Sequence, residues 1–318
     1  MTRARLFFML RIAVWVVVGA CVVVFARRLD RDQVIRSFQG VDLGLALAAT
    51  LVCVPCSALQ GLRWGALVRG IRRVPRSTPI AALYVGQAAS AFLPMRAGEA
   101  VRTELLARAT GIARATALGT VALDHSVNAV VMFAFAALLP ALLPVPRWVA
   151  AFVWTGMGGA IILVLTLLWL AKHPESMPVG RIANAVARAR SGLMAARDPR
   201  AVAQAALFSA LAWSLEIAVT MLALGAFHQP HDLPHAMGVI FGINLALAIP
   251  SPPASLGNFE LGAGSVLVAF GGDAGHAAAF AIGLHAIQLL PAMVMGGLML
   301  NTFRKPTVAV PPAGAQEV

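Results

Sequence analysis

Charged residues follow two proline-bearing breaks in an otherwise apolar chain. After the first break, Arg96, Glu99 and Arg102 are spaced by three and would share one face of a helix. A carboxylate at membrane depth costs roughly 2.5–3.5 kcal/mol and is rarely found there without a partner. Arginine presents planar donors suited to phosphate, and a helix N-terminus adds positive potential. The spacing predicts a phosphate-binding site, and the alternative is an anchor in the headgroup layer.

Glu260 follows the second break, which carries no cation between Pro250 and Gly257. Such a carboxylate is protonated, paired with a distant residue such as Arg96 or Arg102, or exposed in a water-filled cavity. Each alternative implies a polar interior. We therefore expect a substrate-binding set on a backbone shaped by Pro94, Gly98, Pro250 and Gly257: Arg96, Glu99, Arg102, Asn258 and Glu260.

Further polar residues lie within apolar stretches. One such residue is worth only about 1 kcal/mol as an inter-helix hydrogen bond, but seven exceed what helix packing requires. We expect all seven to line the same cavity: Asp124, His125, Asn128, Glu216, Asn244, His285 and Gln288.

Composition sets the class of protein. Of the 318 residues, 59% are hydrophobic and 12% are charged, and the mean hydropathy is +0.81, so an integral membrane protein is indicated. The net charge of +12 is spread between apolar runs, so nucleic acid is not an expected partner. We expect no cofactor and no metal, since Cys53 and Cys56 lack a second ligand pair. The loop with His228, His231 and His235 is more typical of a solvated turn than of a zinc site.

Six apolar runs are long enough to cross a membrane core of roughly 30 Å. Two shorter runs, 79–93 and 236–249, end at prolines and lead into second short helices, as re-entrant hairpins do. The six predicted spans are 7–26, 42–61, 115–139, 148–171, 201–227 and 277–301.

Charge distribution supports the two hairpins. With cytoplasmic termini, this topology puts 20 of the 25 Lys and Arg on the cytoplasmic side, against 11 if both short runs cross the membrane. We therefore predict an all-α membrane domain over 1–305 and a disordered tail over 306–318. The hairpins would enter from opposite faces, as in an inverted repeat of units 42–143 and 201–301.

Matching spacings link the two predicted units. Glu99 is followed by Gly111 and Asp124, and Glu260 is followed by Gly272 and His285 at the same distances of 12 and 25 residues.

The chain resembles the flippase-like proteins named for the transmembrane region of lysylphosphatidylglycerol synthase, which include hopanoid-associated and archaeal glycolipid-associated members. That family's second tip usually carries a glycine pair, which Pro253-Ala254-Ser255 replaces here. The resemblance rests on both tips, on Trp213 with Glu216, and on these residues: Pro94, Arg96, Gly98, Glu99, Arg102, Gly111, Pro250, Ser251, Pro252, Gly257, Glu260 and Gly272.

The resemblance implies that the protein moves a lipid or a lipid-linked polar headgroup between leaflets of the cytoplasmic membrane. Membrane lipids, anionic or bearing a lipid-linked headgroup, would be its partners. Because no aminoacyl-transferase domain or nucleotide motif is evident, lysyl transfer is not expected. Two alternatives stay open: an intramembrane lipid-modifying enzyme, and a scaffold for a separate lipid-modifying enzyme. The sequence does not set the oligomeric state.

Overall fold

The computed structural model describes residues 31–93, 97–142, 147–172, 191–249 and 252–303. Within these ranges all regular elements are helices, which confirms the predicted all-helical class. The helices are α1 (Arg31–Gln39), α2 (Leu43–Arg69), α3 (Ser77–Phe92), α4 (Gly98–Thr110), α5 (Arg114–Ala136), α6 (Leu139–Leu142), α7 (Arg147–Lys172), α8 (Pro199–Ala226), α9 (Leu233–Ala246), α10 (Asn258–Ala269) and α11 (Ala274–Met299), with short 3-10 segments at Met194–Arg197, Pro253–Ser255 and Leu300–Phe303.

Five helical stretches in the described residues are long and apolar enough to cross a membrane. Each coincides with a predicted span, although α2 extends to Arg69, beyond the predicted end at 61. The predicted first span 7–26 and the tail 306–318 lie outside the described residues. Residues 173–190, which follow α7, also lie outside them. The five stretches are Leu43–Arg69, Arg114–Leu142, Val149–Trp169, Pro199–Ala226 and Ala274–Phe303.

Aspartates start four of the helices. Asp42 accepts hydrogen bonds from the backbone amides of Gly44 and Leu45 at 2.8 and 3.0 Å, which satisfies amides that have no partner within the helix. Asp198, Asp232 and Asp273 cap α8, α9 and α11 in the same way. These acidic residues therefore fix helix boundaries and contribute nothing to a buried polar site.

The core forms where α2, α8 and α11 meet. The cluster there combines the small side chains of Ala49, Val219 and Ala223 with the large ring of Phe280, and all four are fully buried. Small residues let the helix axes approach closely, as is common in membrane bundles. In contrast, α7 exposes large apolar side chains such as Ile162 and Leu165, which we expect to contact lipid.

Two pairs of shorter helices pack antiparallel, α3 with α4 and α9 with α10. Glycines lie where the backbones meet. A Cβ atom added at Gly86 would lie 2.9 Å from the carbonyl oxygen of Gly98, and one added at Gly262 would lie 2.7 Å from the carbonyl oxygen of Gly242. Any larger residue at these contacts would push the paired helices apart.

Candidate functional site

A cavity of about 380 Å³ opens between the first helix pair, the core helices and the segment that joins α9 to α10. Five of the predicted substrate-binding and cavity-lining residues lie on its wall, together with Gly98 of the predicted tip backbone. Glu99 and Arg102 come from α4, Glu216 from α8, and His285 and Gln288 from α11. The volume is in the range of small-molecule binding sites.

Neutral polar side chains that the sequence analysis did not single out complete the wall. They include Gln60, Gln87 and Ser90, which lie on α2 and α3. In the sequence these are isolated polar residues among apolar ones, a pattern that does not by itself predict a binding site. The side-chain oxygen of Gln87 is buried and has no hydrogen-bond partner within the described residues. It could accept a hydrogen bond from a headgroup hydroxyl or amine.

Arg102 is held from two sides. Its Nε donates to Glu99 Oε2 at 2.7 Å, and its Nη2 lies 3.5 Å from Asp124 Oδ2. The guanidinium also stacks over the Trp64 ring, 4.8 Å from its centroid. Arg102 is nearly fully buried, whereas the Glu99 side chain is 41% exposed. An entering anion could therefore exchange with Glu99 more readily than with Asp124.

Arg63 is the main member of this cluster that sequence reasoning missed. Because the predicted span 42–61 ends before it, the predicted topology places Arg63 on the cytoplasmic side. In the structure it lies within α2 and is buried. Its guanidinium makes two hydrogen bonds to the Asp124 carboxylate, at 2.7 and 3.2 Å. The one available signal was the match between an arginine just beyond the end of one long apolar run and an aspartate within another.

Two predicted cavity residues flank this cluster without lining the cavity. His125 Nε2 lies 3.2 Å from both Glu99 Oε2 and Arg102 Nη2, on the exposed side of the pair. Asn128 accepts hydrogen bonds from Arg63, Ser209 Oγ and Trp213 Nε1. Asp124 itself is fully buried behind Arg102.

Among the described residues, Glu260 pairs with a histidine and with no arginine. One carboxylate oxygen lies 2.5 Å from His285 Nδ1, and the other accepts a hydrogen bond from the Gly257 amide at 2.7 Å. The His285 ring also stacks on Phe259, with ring centroids 4.3 Å apart. Of the alternatives left open by the sequence, the contact is pairing with a distant residue, but the partner is His285 and not Arg102, which is bound to Glu99 and Asp124. Glu260 instead orients the His285 ring that faces the cavity.

Glu216 is bonded by neutral groups. Gln288 Nε2 donates to Glu216 Oε1 at 2.6 Å, and the Cys56 thiol lies 3.4 Å from Glu216 Oε2. The thiol is also 3.4 Å from the carbonyl oxygen of Ala212. Cys53 and Cys56, at which the sequence predicts no metal site, both contribute to the cavity wall.

The remaining predicted residues lie elsewhere. Asn244 lines a separate apolar pocket beside Trp213 and donates to the Ile240 carbonyl at 2.9 Å. Asn258 donates to the Ala246 and Ile249 carbonyls and so ties α10 to the end of α9. Pro94, Arg96 and Pro250 lie outside the described residues.

The second tip has an unusual backbone. Ala254 and Ser255 have φ values of 55° and 58°, in the left-handed region that favours glycine, and Gly257 has φ of 86°. The two non-glycine residues stand where the resembling proteins usually carry a glycine pair. The chain thus keeps a left-handed turn at these positions at a steric cost.

The loop histidines have partners of their own. His228 Nε2 lies 2.7 Å from the Gly40 carbonyl, and His235 Nδ1 lies 2.7 Å from Asp232, the cap of α9. Hydrogen bonds from His235, first its backbone amide and then its ring, lower the pKa of Asp232. In the part of the chain that the structure describes, His, Cys, Asp and Glu form no group of three suited to a metal ion.

Comparison with known proteins identifies the family of the chain. No curated protein matches the chain. The family model described as the lysylphosphatidylglycerol synthase TM region matches residues 9–296, nearly the whole length. The family is one of multi-pass membrane proteins associated with lipids, and the resemblance inferred from the two tips is confirmed. The chain belongs to the lysylphosphatidylglycerol synthase TM region family.

Proposed function

We propose that the protein moves a lipid, or a lipid-linked polar headgroup, between the leaflets of the cytoplasmic membrane. The observation that carries this proposal is a cavity with a charged and hydrogen-bonding wall inside an apolar helical bundle. A polar wall of this kind lowers the cost of holding a headgroup within the membrane, while the acyl chains stay in the surrounding lipid.

The helix pairs support re-entrant entry. The four helices α3, α4, α9 and α10 contain 16, 13, 14 and 12 residues. At 1.5 Å per residue they reach about 18–24 Å, short of a hydrocarbon core of roughly 30 Å. We propose that each pair enters and leaves on one face, the first from the cytoplasm and the second from the opposite side.

Similar local chemistry in both pairs supports the inverted repeat of units 42–143 and 201–301. Each second helix begins near a glutamate that contacts a histidine 25 or 26 residues further on: Glu99 contacts His125, and Glu260 contacts His285. Each pair also meets at glycines. Two related halves of opposite orientation would give the cavity access to each leaflet in turn.

Arg102 is the proposed contact for a headgroup phosphate, together with Arg96 just before α4. Because Arg102 is already paired, the phosphate would take the position that the exposed Glu99 carboxylate holds in this structure. Asp124 would keep the guanidinium in place during this exchange, since it is fully buried behind it.

Liposome reconstitution tests the proposal. Purified protein would be inserted into liposomes that carry fluorescent phospholipids in both leaflets, and a membrane-impermeant reductant would bleach the outer leaflet. We expect loss of nearly all fluorescence with protein and of about half without it, since passive exchange between leaflets is slow when headgroups must cross hydrocarbon. Loss equal to that of empty liposomes for several headgroups would reject transport. Chemical turnover of a headgroup that is lost in Glu99→Gln would instead favour an enzyme.

Thiol labelling tests the re-entrant topology. Gly98 itself is unsuitable, because an added Cβ would lie against the backbone of α3, and Gly257 has a positive φ. Ala97→Cys and Leu256→Cys, in a background lacking Cys21, Cys53 and Cys56, place single thiols at the two tips. We expect each to react with an impermeant reagent from a different side of the membrane. Reaction of both from one side alone would refute the opposed hairpins.

A further inference from the structure

Four carboxylates in or beside the cavity differ in the charge of their partners. Asp124 and Glu99 are held by arginine guanidinium groups, and Glu260 is held by a histidine ring. Within the described residues, Glu216 is the one of the four whose partners are all neutral. An ionised carboxylate away from any cation is costly in a low-dielectric interior, and binding a proton removes that cost.

The partners of Glu216 suit both protonation states. The Gln288 amide can donate to Glu216 Oε1 whether or not the carboxyl carries a proton. The Cys56 thiol lies at equal distance, 3.4 Å, from Glu216 Oε2 and from the Ala212 carbonyl. A thiol is both a weak donor and a weak acceptor. When Glu216 is ionised, the thiol donates to it. When Glu216 is protonated, its O–H donates to the sulfur and the thiol turns to Ala212.

Among the described residues, no other charged group around the cavity forms an ion pair with Glu216. On α2, the thiol of Cys53 lies one turn before Cys56, and the Gln60 amide lies 3.9 Å from the Cys56 sulfur. On α11, the His285 ring is hydrogen-bonded to Glu260. From α4, Glu99 and Arg102 face the same cavity as an ion pair. Proton binding at Glu216 would therefore change the charge of the cavity by one unit without breaking an ion pair.

We propose that Glu216 is a proton-binding site and that its proton is exchanged together with the passage of an anionic headgroup. This inference rests on the proposed function. A headgroup phosphate beside an ionised Glu216 meets a like charge, whereas beside a protonated Glu216 it does not. Each ligand therefore raises the affinity for the other. The proton comes from water on one side, forms an O–H bond with the carboxylate, and returns to water on the other side.

Difference infrared spectroscopy tests the proton site on the protein itself. Wild-type protein in lipid would be titrated from acid to alkaline pH while the C=O stretch of protonated carboxyl groups is recorded. We expect a titrating band that is missing from Glu216→Gln and retained in Glu104→Gln, which removes a carboxylate that does not line the cavity. A spectrum of Glu216→Gln that titrates like the wild type would overturn the assignment, whatever the protein transports.

Leaflet distribution tests the coupling. Liposomes with a fluorescent anionic phospholipid would be compared at equal pH and across a gradient of one pH unit. Movement of one proton with each lipid enriches the leaflet that faces the alkaline compartment, by up to about tenfold per pH unit. We expect this response in the wild type and in Glu104→Gln. Glu216→Gln, which resembles the protonated state, should exchange lipid without responding to the gradient.

The outcomes separate the two proposals. Exchange at equal pH with no response to the gradient in the wild type would refute the coupling and leave lipid movement standing. An equal gradient response in Glu216→Gln would show that the proton site lies elsewhere. No movement at equal pH would refute the proposed function, and the infrared titration would still decide whether Glu216 binds a proton. Glu216→Asp, which keeps the carboxyl group, should restore both the band and the response.

Discussion

Replacing Asp124 with leucine should destabilise the protein strongly. The Asp124 and Arg63 side chains are 0% and 6% exposed, and the carboxylate also faces Arg102. Removing one partner of a buried ion pair costs about 3–5 kcal/mol, because the remaining charge stays in a low-dielectric site. In Asp124→Leu, Arg102 keeps Glu99 as a partner, but Arg63 loses its only described carboxylate. Most of the loss should therefore come from Arg63.

The double variant Arg63→Met with Asp124→Leu isolates that contribution. It removes both charges and leaves apolar side chains of similar size, so it should be more stable than Asp124→Leu alone by about 1–3 kcal/mol. Unfolding of the detergent-solubilised protein by heat or denaturant, followed by tryptophan fluorescence, gives the comparison. Glu104→Gln serves as a control for loss of an exposed ion pair and should change the midpoint little.

The result that would refute this reasoning is additivity. If the free energies lost in Arg63→Met and in Asp124→Leu add up to the loss in the double variant, the two groups are not coupled and the buried pair is not formed. Equal midpoints for Asp124→Leu and the double variant would likewise show that Arg63 finds another partner or reaches water.

Three further outcomes follow from local geometry. Gly98→Ala should separate α3 from α4 and abolish lipid movement in the liposome assay, whereas Gly158→Ala, with no atom near its added methyl group, should raise stability by up to about 1 kcal/mol. Ala254→Gly removes an alanine from the left-handed region and should therefore raise the unfolding midpoint. The free energy of unfolding should rise by about 0.5–1 kcal/mol, after the greater entropy of glycine in the unfolded chain is subtracted. Hydrogen bonds from Arg114 and Arg108 lower the pKa of Glu104 from 4.5 to about 2, so its stabilising contribution is complete above pH 4.5 and is lost as the pH falls toward 2. Glu104→Gln should show less destabilisation than the wild type over that interval of acid unfolding.

The long helices could be predicted because hydrophobic length is a local property. Runs near 115–139 and 148–171 appear in the structure as helices with nearly the same bounds, Arg114–Ala136 and Arg147–Lys172. The short paired helices were also indicated, since a proline and glycines interrupt an apolar run at each tip. What a tip contacts depends on distant helices, and no local pattern encodes that.

Arg63 shows why the partners of buried charges were harder to predict. Counting cations by their position between apolar runs places Arg63 in a cytoplasmic loop, because the predicted span ended at residue 61. In the structure α2 continues to Arg69, and Arg63 reaches Asp124 on α5. A residue two positions beyond an apolar run is still on the same helix, so hydropathy alone cannot tell a membrane-end anchor from a buried ion-pair partner.

Glu260 is a second buried carboxylate whose partner the sequence did not predict. No cation lies near it in the sequence, and the histidine that binds it is 25 residues away, on another helix. The spacing of 25 residues between Glu260 and His285 matches that between Glu99 and Asp124 and so indicates a repeat, but it does not by itself predict a contact. A repeated spacing became a physical contact only when the fold placed α10 against α11.

The internal partners of the cavity charges limit how a headgroup could enter. Arg102 and Asp124 are each paired with an opposite charge, and Glu260 is hydrogen-bonded to His285 and to the Gly257 amide, so each group already has a partner in the cavity without a ligand. An anionic headgroup must therefore displace an existing partner, and the partner with the greatest exposure, Glu99, is the one it can displace at the lowest cost. The released carboxylate then adds negative charge near Glu216, where a proton is the simplest means of compensation. In the proposed mechanism, exchange at Arg102 and protonation at Glu216 meet one electrostatic requirement, because a second anion enters the cavity without added negative charge only if one carboxylate becomes neutral.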